Sequence, residues 1–429
     1  MAETKTSQIR WLLIFWLFVL SAVAYLDRVN ISIAGSLLAS EYHLSKIQLG
    51  WIFSAFLAGY ALFQTPGGWL ADTFGARRVL ALGVVWWGIF TALTAAVPAK
   101  LSSALAAFLG VRFALGAGEA VIYPSSNQFV SRWIPRTERG IANGWIFSGV
   151  GVGAGFTPPL ITYIMLRHGW RWSFVVCAVL GLFAGLVWYL IARDSPEKHP
   201  LVSANELARI QSDLPVTAGG EKSALVSWNR LLGSREVLAA TLSYFSFGYV
   251  AWIFFSWFYI YLAEVRGLNL KASALYSMLP FIAMAVCSPL GGAVSDRLTR
   301  RKGARAGRSG VAVFAMILAA LFLVLGSSAE DSRVAVVVLA GGAGALYLSQ
   351  SSFWSVTADI GGRSSGSVSG FMNMGNQLGG MTTASLTPWI ASRLGWKAPF
   401  FVAAALCLGG AVAWLFVDPS RRLDSAELP

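Results

Sequence analysis

Four charged side chains stand where charge is costly. Asp27 and Arg28 lie in "AYLDRVNISIAG" (24–35), and Arg112 and Glu119 in "RFALGAGEAVIYPSSN" (112–127), each inside an apolar run long enough to cross a bilayer. A charge near the bilayer centre costs roughly 2.5–3.5 kcal/mol on insertion scales, so such residues face a watery cavity or a partner. Two acids and two arginines are neutral when all are ionised. Protonating either acid leaves a surplus positive charge that an anion can satisfy, which couples a proton to an anion.

Spacing refines this. Arg112 and Glu119 are seven residues apart, two helical turns, which stacks them on one face roughly 10 Å apart. Tyr25, Arg28 and Ser32 share a face by their i, i+3, i+7 spacing. A guanidinium grips a carboxylate through two parallel hydrogen bonds and keeps its proton, so Arg28 is the candidate anion clamp. The alternative is that it only neutralises Asp27. Glu119 is the candidate proton carrier, because burial and nearby arginines pull on its proton affinity in opposite directions. Its alternative is a permanent ion pair with Arg28 or Arg112.

The elements that must position these residues follow from composition. Of 429 residues, 56% are hydrophobic and only 12% charged, with a mean hydropathy of +0.62. That is too apolar to surround one soluble core. An all-α polytopic membrane protein is expected, with twelve spans at about 11–38, 46–71, 79–97, 101–130, 140–166, 172–192, 236–264, 272–295, 309–327, 334–358, 366–392 and 398–417. The first run contains "SAVA", which looks like a signal cleavage site, but it continues past it and reads as an uncleaved span.

The net charge of +13 invites a nucleic-acid reading until the charges are placed. With the N-terminus inside, 22 of the 33 Lys and Arg fall on the cytoplasmic side and 9 outside, leaving Arg28 and Arg112 within the membrane. That is the positive-inside pattern of an inner (plasma) membrane protein with both termini cytoplasmic. The run "RLTRRKGARAGR" (297–308) then reads as a topological anchor, and no nucleic acid is expected. Cys177, Cys287 and Cys407 sit singly in three spans, and His43, His168 and His199 all fall in loops. No disulfide framework, metal site or cofactor is indicated.

The chain divides in two. Residues 1–192 and 236–429 form six-span halves, joined by a polar cytoplasmic linker at 193–235 in which "SANE" (203–206) reads as a capping box. The halves repeat: Gly169-Trp170 with Phe174 recurs 226 residues on as Gly395-Trp396 with Phe400, and Gly140, Gly144, Gly149 and Gly153 recur as Gly366, Gly370, Gly375 and Gly379. Pseudo-symmetric halves with a midplane site between them are the layout of alternating access. The plainer reading of the glycines is close helix packing.

Here the sequence resembles a known group. "GGWLADTFGARR" (67–78) resembles the loop signature of the major facilitator superfamily, with "GGAVSDRLTRR" (291–301) its partner in the second half. "YLDRVNIS" (25–32), the 112–127 stretch and "WIPRTERGIA" (133–142) resemble the anion:cation symporter family, whose members include bacterial sugar-acid/proton symporters, sialin and vesicular glutamate transporters. The resemblance implies two rocking six-helix bundles and proton-coupled symport of an organic carboxylate: a hexonate, a hexuronate, or a related aromatic or dicarboxylic acid. It implies Asp27 as a second proton carrier and Arg112 as a structural and coupling arginine. It also implies Tyr25, Tyr60 in "FLAGYALFQ", Ser351 and Trp354 in "SQSSFWS", and Asn373 in "NMGNQ" as substrate-contacting groups. Asp72, Arg77 and Arg78, with Asp296, Arg297 and Arg301, would form the cytoplasmic gate. Two departures count against a hydroxyl-rich substrate: Val150 replaces a glutamine, and Tyr259 in "FFSWFYIYL" replaces a proline.

Other classes fit less well. An organophosphate exchanger of this fold would carry arginines in both halves, and span 7 has none between Glu236 and Glu264. A channel needs a repeated ring of charges or carbonyls. An enzyme needs a nucleophile–base pair or a metal at membrane depth, so no enzyme is expected. Drug/proton antiport is the main rival, but "GVGVGAGFTPP" (149–159) fits its signature poorly. The partners expected are a small organic anion, protons and the bilayer, and the protein is expected to be a monomer.

Overall fold

The computed structural model describes residues 7–98, 103–212, 225–258, 261–268 and 275–423. Nine helical stretches within them are long and apolar enough to cross a membrane, and a tenth is bent by 40° beside Pro159. One of the nine, Ser332–Leu394, has 63 residues, about 95 Å at 1.5 Å per residue, and turns back at the 3₁₀ segment Gly362–Ser364 to give two spans. With Lys46–Phe74, twelve spans result, as expected. In a bilayer, intra-helical hydrogen bonding is what lets a chain cross.

Helix ends follow local chemistry. Span 2 starts at Ser45, whose side chain accepts from the Gln48 N–H while the Gln48 side chain returns to Ser45, a complete capping box. The repeated Gly-Trp pairs are helix stops: Gly169 (φ 84°) and Gly395 (φ 77°) adopt a conformation that L side chains avoid, and their N–H groups close onto Met165 and Ala391.

Four expectations need correction. Span 4 is two helices, Ala104–Glu119 and Ile122–Trp133, and span 10 breaks in the same way, into Ser332–Leu348 and Gln350–Gly361. Span 8 runs to Lys302, so Arg297 and Arg301 ride on its last turns. His168 closes the span 5 helix. The linker serine Ser203 does cap the helix Ala204–Gln211, but the Glu206 side chain does not reach back. It accepts instead from the N–H groups of Ile9 and Arg10 and from the Arg10 guanidinium, which ties the linker to span 1. Tyr259 lies outside the described residues.

The twofold pattern is visible in the packing. Spans 1 and 5, 2 and 4, and 3 and 6 pair in the first bundle, as spans 7 and 11, 8 and 10, and 9 and 12 do in the second. The bundles meet through spans 2 and 11 and through spans 5 and 8. The repeated glycines explain how closely: a Cβ on Gly149 or Gly153 would overlap the span 1 backbone, and one on Gly375 or Gly379 that of span 7. Between the bundles, Gly68 faces the Gly366 carbonyl and Gly292 the Gly140 carbonyl, with no room for a methyl at either. These contacts close the face that carries the linker and the described ends of the chain.

Gly292→Val should therefore prop that face open while leaving each bundle folded. A cysteine at Thr357, which bridges to Asn127 across the closed interface, should then react with an impermeant thiol reagent from the linker side. Unchanged reactivity would mean that closure does not depend on this backbone contact.

Candidate functional site

A nearly shut cavity of about 20 Å³ lies between the bundles. Its charged end is built on span 1. Arg28 donates from Nε to Glu119 Oε1 at 2.8 Å. Its guanidinium lies 4.2 Å from the Tyr60 ring centre, 4.7 Å from that of Tyr25 and 5.9 Å from that of Tyr123. Ring faces stabilise a desolvated guanidinium. Arg28 Nη2 and Glu119 Oε2 are buried and make no hydrogen bond, so the pair is joined by one strand of a two-stranded fork.

The pairing differs from the stacking suggested by the seven-residue spacing. Glu119 is the last residue of its helix and pairs with Arg28, while Arg112 lies over the Phe56 ring at 4.9 Å. Arg112 Nε and Nη1 have no hydrogen-bond partner among the described residues. Asp27 and its sequence neighbour Arg28 diverge. Asp27 is buried, accepts from Thr91 Oγ1 of span 3 at 2.6 Å, and keeps a second oxygen unpartnered. Arg28 therefore does not neutralise Asp27 by contact. Ser32, on the shared face, is exposed.

The second bundle supplies an uncharged wall. Asn373 lines the cavity and donates to Gln64 Oε1 of span 2 at 3.0 Å, bridging the bundles. Trp354 lies behind the lining: its indole N–H donates to the Tyr244 hydroxyl at 2.9 Å, and its ring packs 4.9 Å from Phe147 and 5.8 Å from Tyr123. Ser351 does not reach the cavity, because its hydroxyl is spent on the Ser288 carbonyl of span 8 at 2.9 Å. That is the interhelical bonding small polar residues provide in membranes. Lining residues that sequence reasoning did not single out are Tyr123, Tyr244, Tyr347, Gln350, Asn376 and Gln377. Gln350, Asn376 and Gln377 lay within flagged polar clusters and Tyr123 within the quoted 112–127 stretch, whereas nothing marked Tyr244 or Tyr347. Val150 also lines the cavity.

On the linker face, Asp72 accepts from the Gly366 N–H at 2.9 Å, the Ser367 N–H at 2.7 Å and the Ser367 hydroxyl at 2.7 Å. Asp296 accepts from the N–H groups of Gly140 and Ile141 at 2.9 and 2.7 Å. Each carboxylate thus caps the first turn of a helix in the opposite bundle, where unsatisfied N–H groups and the helix dipole favour a negative charge. The arginines named with them lie elsewhere. Arg77 donates to the Tyr189 carbonyl and, through its backbone N–H, to Asp194. Arg78, Arg297 and Arg301 are exposed and make no ion pair with Asp72 or Asp296 among the described residues.

A buried charge cluster on this face was not read from the sequence. Arg308, fully buried rather than a surface anchor, pairs with Asp296 at 2.6 Å and approaches Asp359 at 3.5 Å. Arg139 reaches Asp359 at 2.7 Å from the first bundle, and Arg136 at 3.4 Å. Removing one partner of a buried pair leaves an uncompensated charge and costs about 3–5 kcal/mol. Asp359→Asn should therefore lower the melting temperature of the purified protein and raise thiol labelling from the linker face. A variant as stable and as closed as wild type would show that the cluster is dispensable.

The Major Facilitator Superfamily pattern matches residues 17–384, with a second match over 361–428. A probable sulfoacetate transporter of Cupriavidus necator is 35% identical over 407 residues, covering 94% of this chain and 93% of that one. A hexuronate transporter of Bacillus subtilis is 29% identical over 412 residues, covering 95% and 94%. Among solved structures, the proton:xylose symporter XylE bound to 6-bromo-6-deoxy-D-glucose superposes with a TM-score of 0.74 at 15% identity, over 96% of this chain and 97% of that one. At that identity the likeness speaks to the fold alone.

Proposed function

The chain belongs to the major facilitator superfamily, and from that premise we propose that it is a proton-coupled symporter of a small organic carboxylate. It is a multi-pass membrane transporter and not an enzyme. The relatives named for sulfoacetate and hexuronate support a small anion as substrate.

One observation carries the reading: Arg28, the one cation among the described residues that line the cavity, is held by a buried acid, Glu119, through a single hydrogen bond. A proton arriving at Glu119 discharges the acid and frees the guanidinium. The substrate carboxylate then takes the fork, with Tyr25 and Tyr60 flanking it and Asn373 on the opposite wall. Anion and proton cross together because neither leaves the other's partner stable alone. When both have gone, Glu119 recaptures Arg28 and the empty carrier returns. Asp27, on Thr91, is the second proton site, and Arg112 couples the two acids.

The linker face is cytoplasmic in this reading, in the inner membrane, and Asp72 and Asp296 with the Asp359 cluster are its gate. Breaking the helix caps and the buried pairs opens the cavity inward. Organophosphate exchange is less well supported, since the described residues of the second bundle contribute no cation to the cavity lining. Drug/proton antiport would suit an apolar cation better than a site headed by an arginine. A monomer suffices for the cycle.

Glu119→Gln resembles the protonated form and should abolish gradient-driven uptake in proteoliposomes while preserving exchange of labelled for unlabelled substrate. Accumulation at wild-type rates would remove Glu119 from coupling. Arg28→Lys keeps the charge and loses the planar fork, so anion affinity should fall about tenfold or more, near 1.4 kcal/mol. Unchanged binding by calorimetry would move the clamp elsewhere.

A further inference from the structure

Arg78 is one of the arginines expected at the gate that the closed face does not use. It lies in the first turn of span 3, just past Gly75, on the linker face where the backbone N–H of its neighbour Arg77 donates to Asp194. Arg78 is exposed and has no hydrogen bond, ion pair or ring contact among the described residues. It lines the end of a groove of about 570 Å³ whose described walls come from spans 2, 3 and 4 and are otherwise apolar.

The groove follows helical spacing. On span 2 its residues run Phe63, Gly67, Leu70, Phe74, and on span 3 Arg78, Leu82, Trp86, one stripe from each helix. From Arg78 to Trp86 it reaches about 12 Å into the membrane at 1.5 Å per residue. Phe63, Phe74, Leu82 and Trp86 are exposed, so the walls stand on the bilayer side of the bundle. The floor is closely packed: a Cβ on Gly67 or Gly83 would overlap the Val121 side chain, and one on Gly118 the Trp86 ring. Val121 lies in the break between the two helices of span 4, two residues past Glu119, and the Trp86 indole N–H donates to the Ala114 carbonyl at 2.7 Å. The inner end of the groove therefore rests against the segment that carries Glu119.

We propose that this groove binds an anionic phospholipid of the bilayer, with one acyl chain along the floor and the phosphate at the Arg78 guanidinium. The groove opens on the flank that faces lipid, so its occupant comes from the bilayer. An apolar trough that ends in a cation without a protein partner matches an amphiphile with a negative head, and its volume is in the range of small-molecule sites. An arginine at a span end extends its charge to the headgroup level while its stem stays in apolar surroundings. In the proposed topology Arg78 stands at the cytoplasmic leaflet, whose surface is negative. A chain lying in the groove touches Trp86 and Val121 and braces the break behind Glu119. The inference involves neither the transported substrate nor the coupling ion.

Photolabelling locates the lipid. The purified full-length protein is placed in nanodiscs of phosphatidylcholine containing a trace of phosphatidylglycerol with a diazirine midway along one acyl chain, or the same probe on phosphatidylcholine, and the adducts are mapped by peptide mass spectrometry. The anionic probe is expected to label the segments 63–74 and 78–86 about fivefold more than the zwitterionic one, the worth of one arginine near a charged headgroup. Arg78→Gln should reduce that labelling to the zwitterionic level, whereas Arg301→Gln, which removes an exposed arginine elsewhere on the same face, should leave it unchanged. Leu82→Trp enlarges a side chain on an exposed wall without touching the floor and should exclude both probes from these segments; Leu82→Phe replaces it should the first variant fold poorly. Labelling concentrated on other spans, equal labelling by the two probes, an equal loss in Arg301→Gln, or full labelling of a folded Leu82 variant overturns the proposal, and each of these results leaves the transport reading intact.

Discussion

A guanidinium in the middle of a bilayer has to be paired at every stage of a working cycle. Arg28 is held by Glu119 and by the rings of Tyr25, Phe56, Tyr60 and Tyr123 in this closed form, and the rest of the molecule can be understood as the scaffold for that arrangement. The helix break at residues 120–121 ends the first half of span 4 on Glu119 and restarts it so that Tyr123 turns into the same cavity. The matching break before Gln350 brings Tyr347 and Gln350 to the opposite wall. Broken helices at membrane depth are tolerated where the irregular backbone is buried or lines a cavity, and these two breaks meet that condition.

The second constraint is that the two bundles must both touch and part. Their contact on the linker face is made of backbone against backbone at Gly68–Gly366 and Gly140–Gly292, and of carboxylates that cap helices in the other bundle. Such contacts are short-ranged. A small rotation breaks them together, and the N–H groups released can be taken up by water at that face. A side-chain ion pair between long flexible arms would stretch before it broke. Using peptide N–H groups as partners for Asp72 and Asp296 makes closure sharp, and the buried Arg139–Asp359–Arg308 cluster adds an energetic lock behind it.

Much of this was legible in the sequence because membranes make polarity conspicuous. Arg28, Tyr25, Tyr60 and Asn373 stood out as polar groups in apolar runs, and the structure brings all four to one cavity. The 226-residue repeat was readable because glycines that admit a close neighbour cannot drift to larger residues on either copy. What could not be read was partner choice. Seven-residue spacing puts Arg112 and Glu119 on one face, but spacing does not say which arginine the carboxylate takes, and it takes Arg28 of span 1. Arg308 was hidden in a run of arginines whose other members are mostly solvated. Ser351 carried the same polar signal as its neighbours, and only its orientation toward the Ser288 carbonyl separates it from the cavity.

The division of charge between the bundles has a physical logic of its own. In the proposed cycle, proton and anion sites that share a bundle would keep fixed distances as the bundles move, so that the competition between Glu119 and an anion for Arg28 would be the same in every conformation. If the clamp stood on one bundle and the acid on the other, each rocking step would stretch the pair and the coupling energy would vary with the gate. Keeping Asp27, Arg28, Arg112 and Glu119 on spans 1 and 4 removes that dependence. The second bundle is then free to vary in its amides and aromatics without disturbing the buried charged set, because its link to that set passes through uncharged contacts such as Asn373 with Gln64 and Tyr25 with Phe255. A fold organised in this way can change what it recognises one wall at a time while the charged set proposed for coupling stays in place.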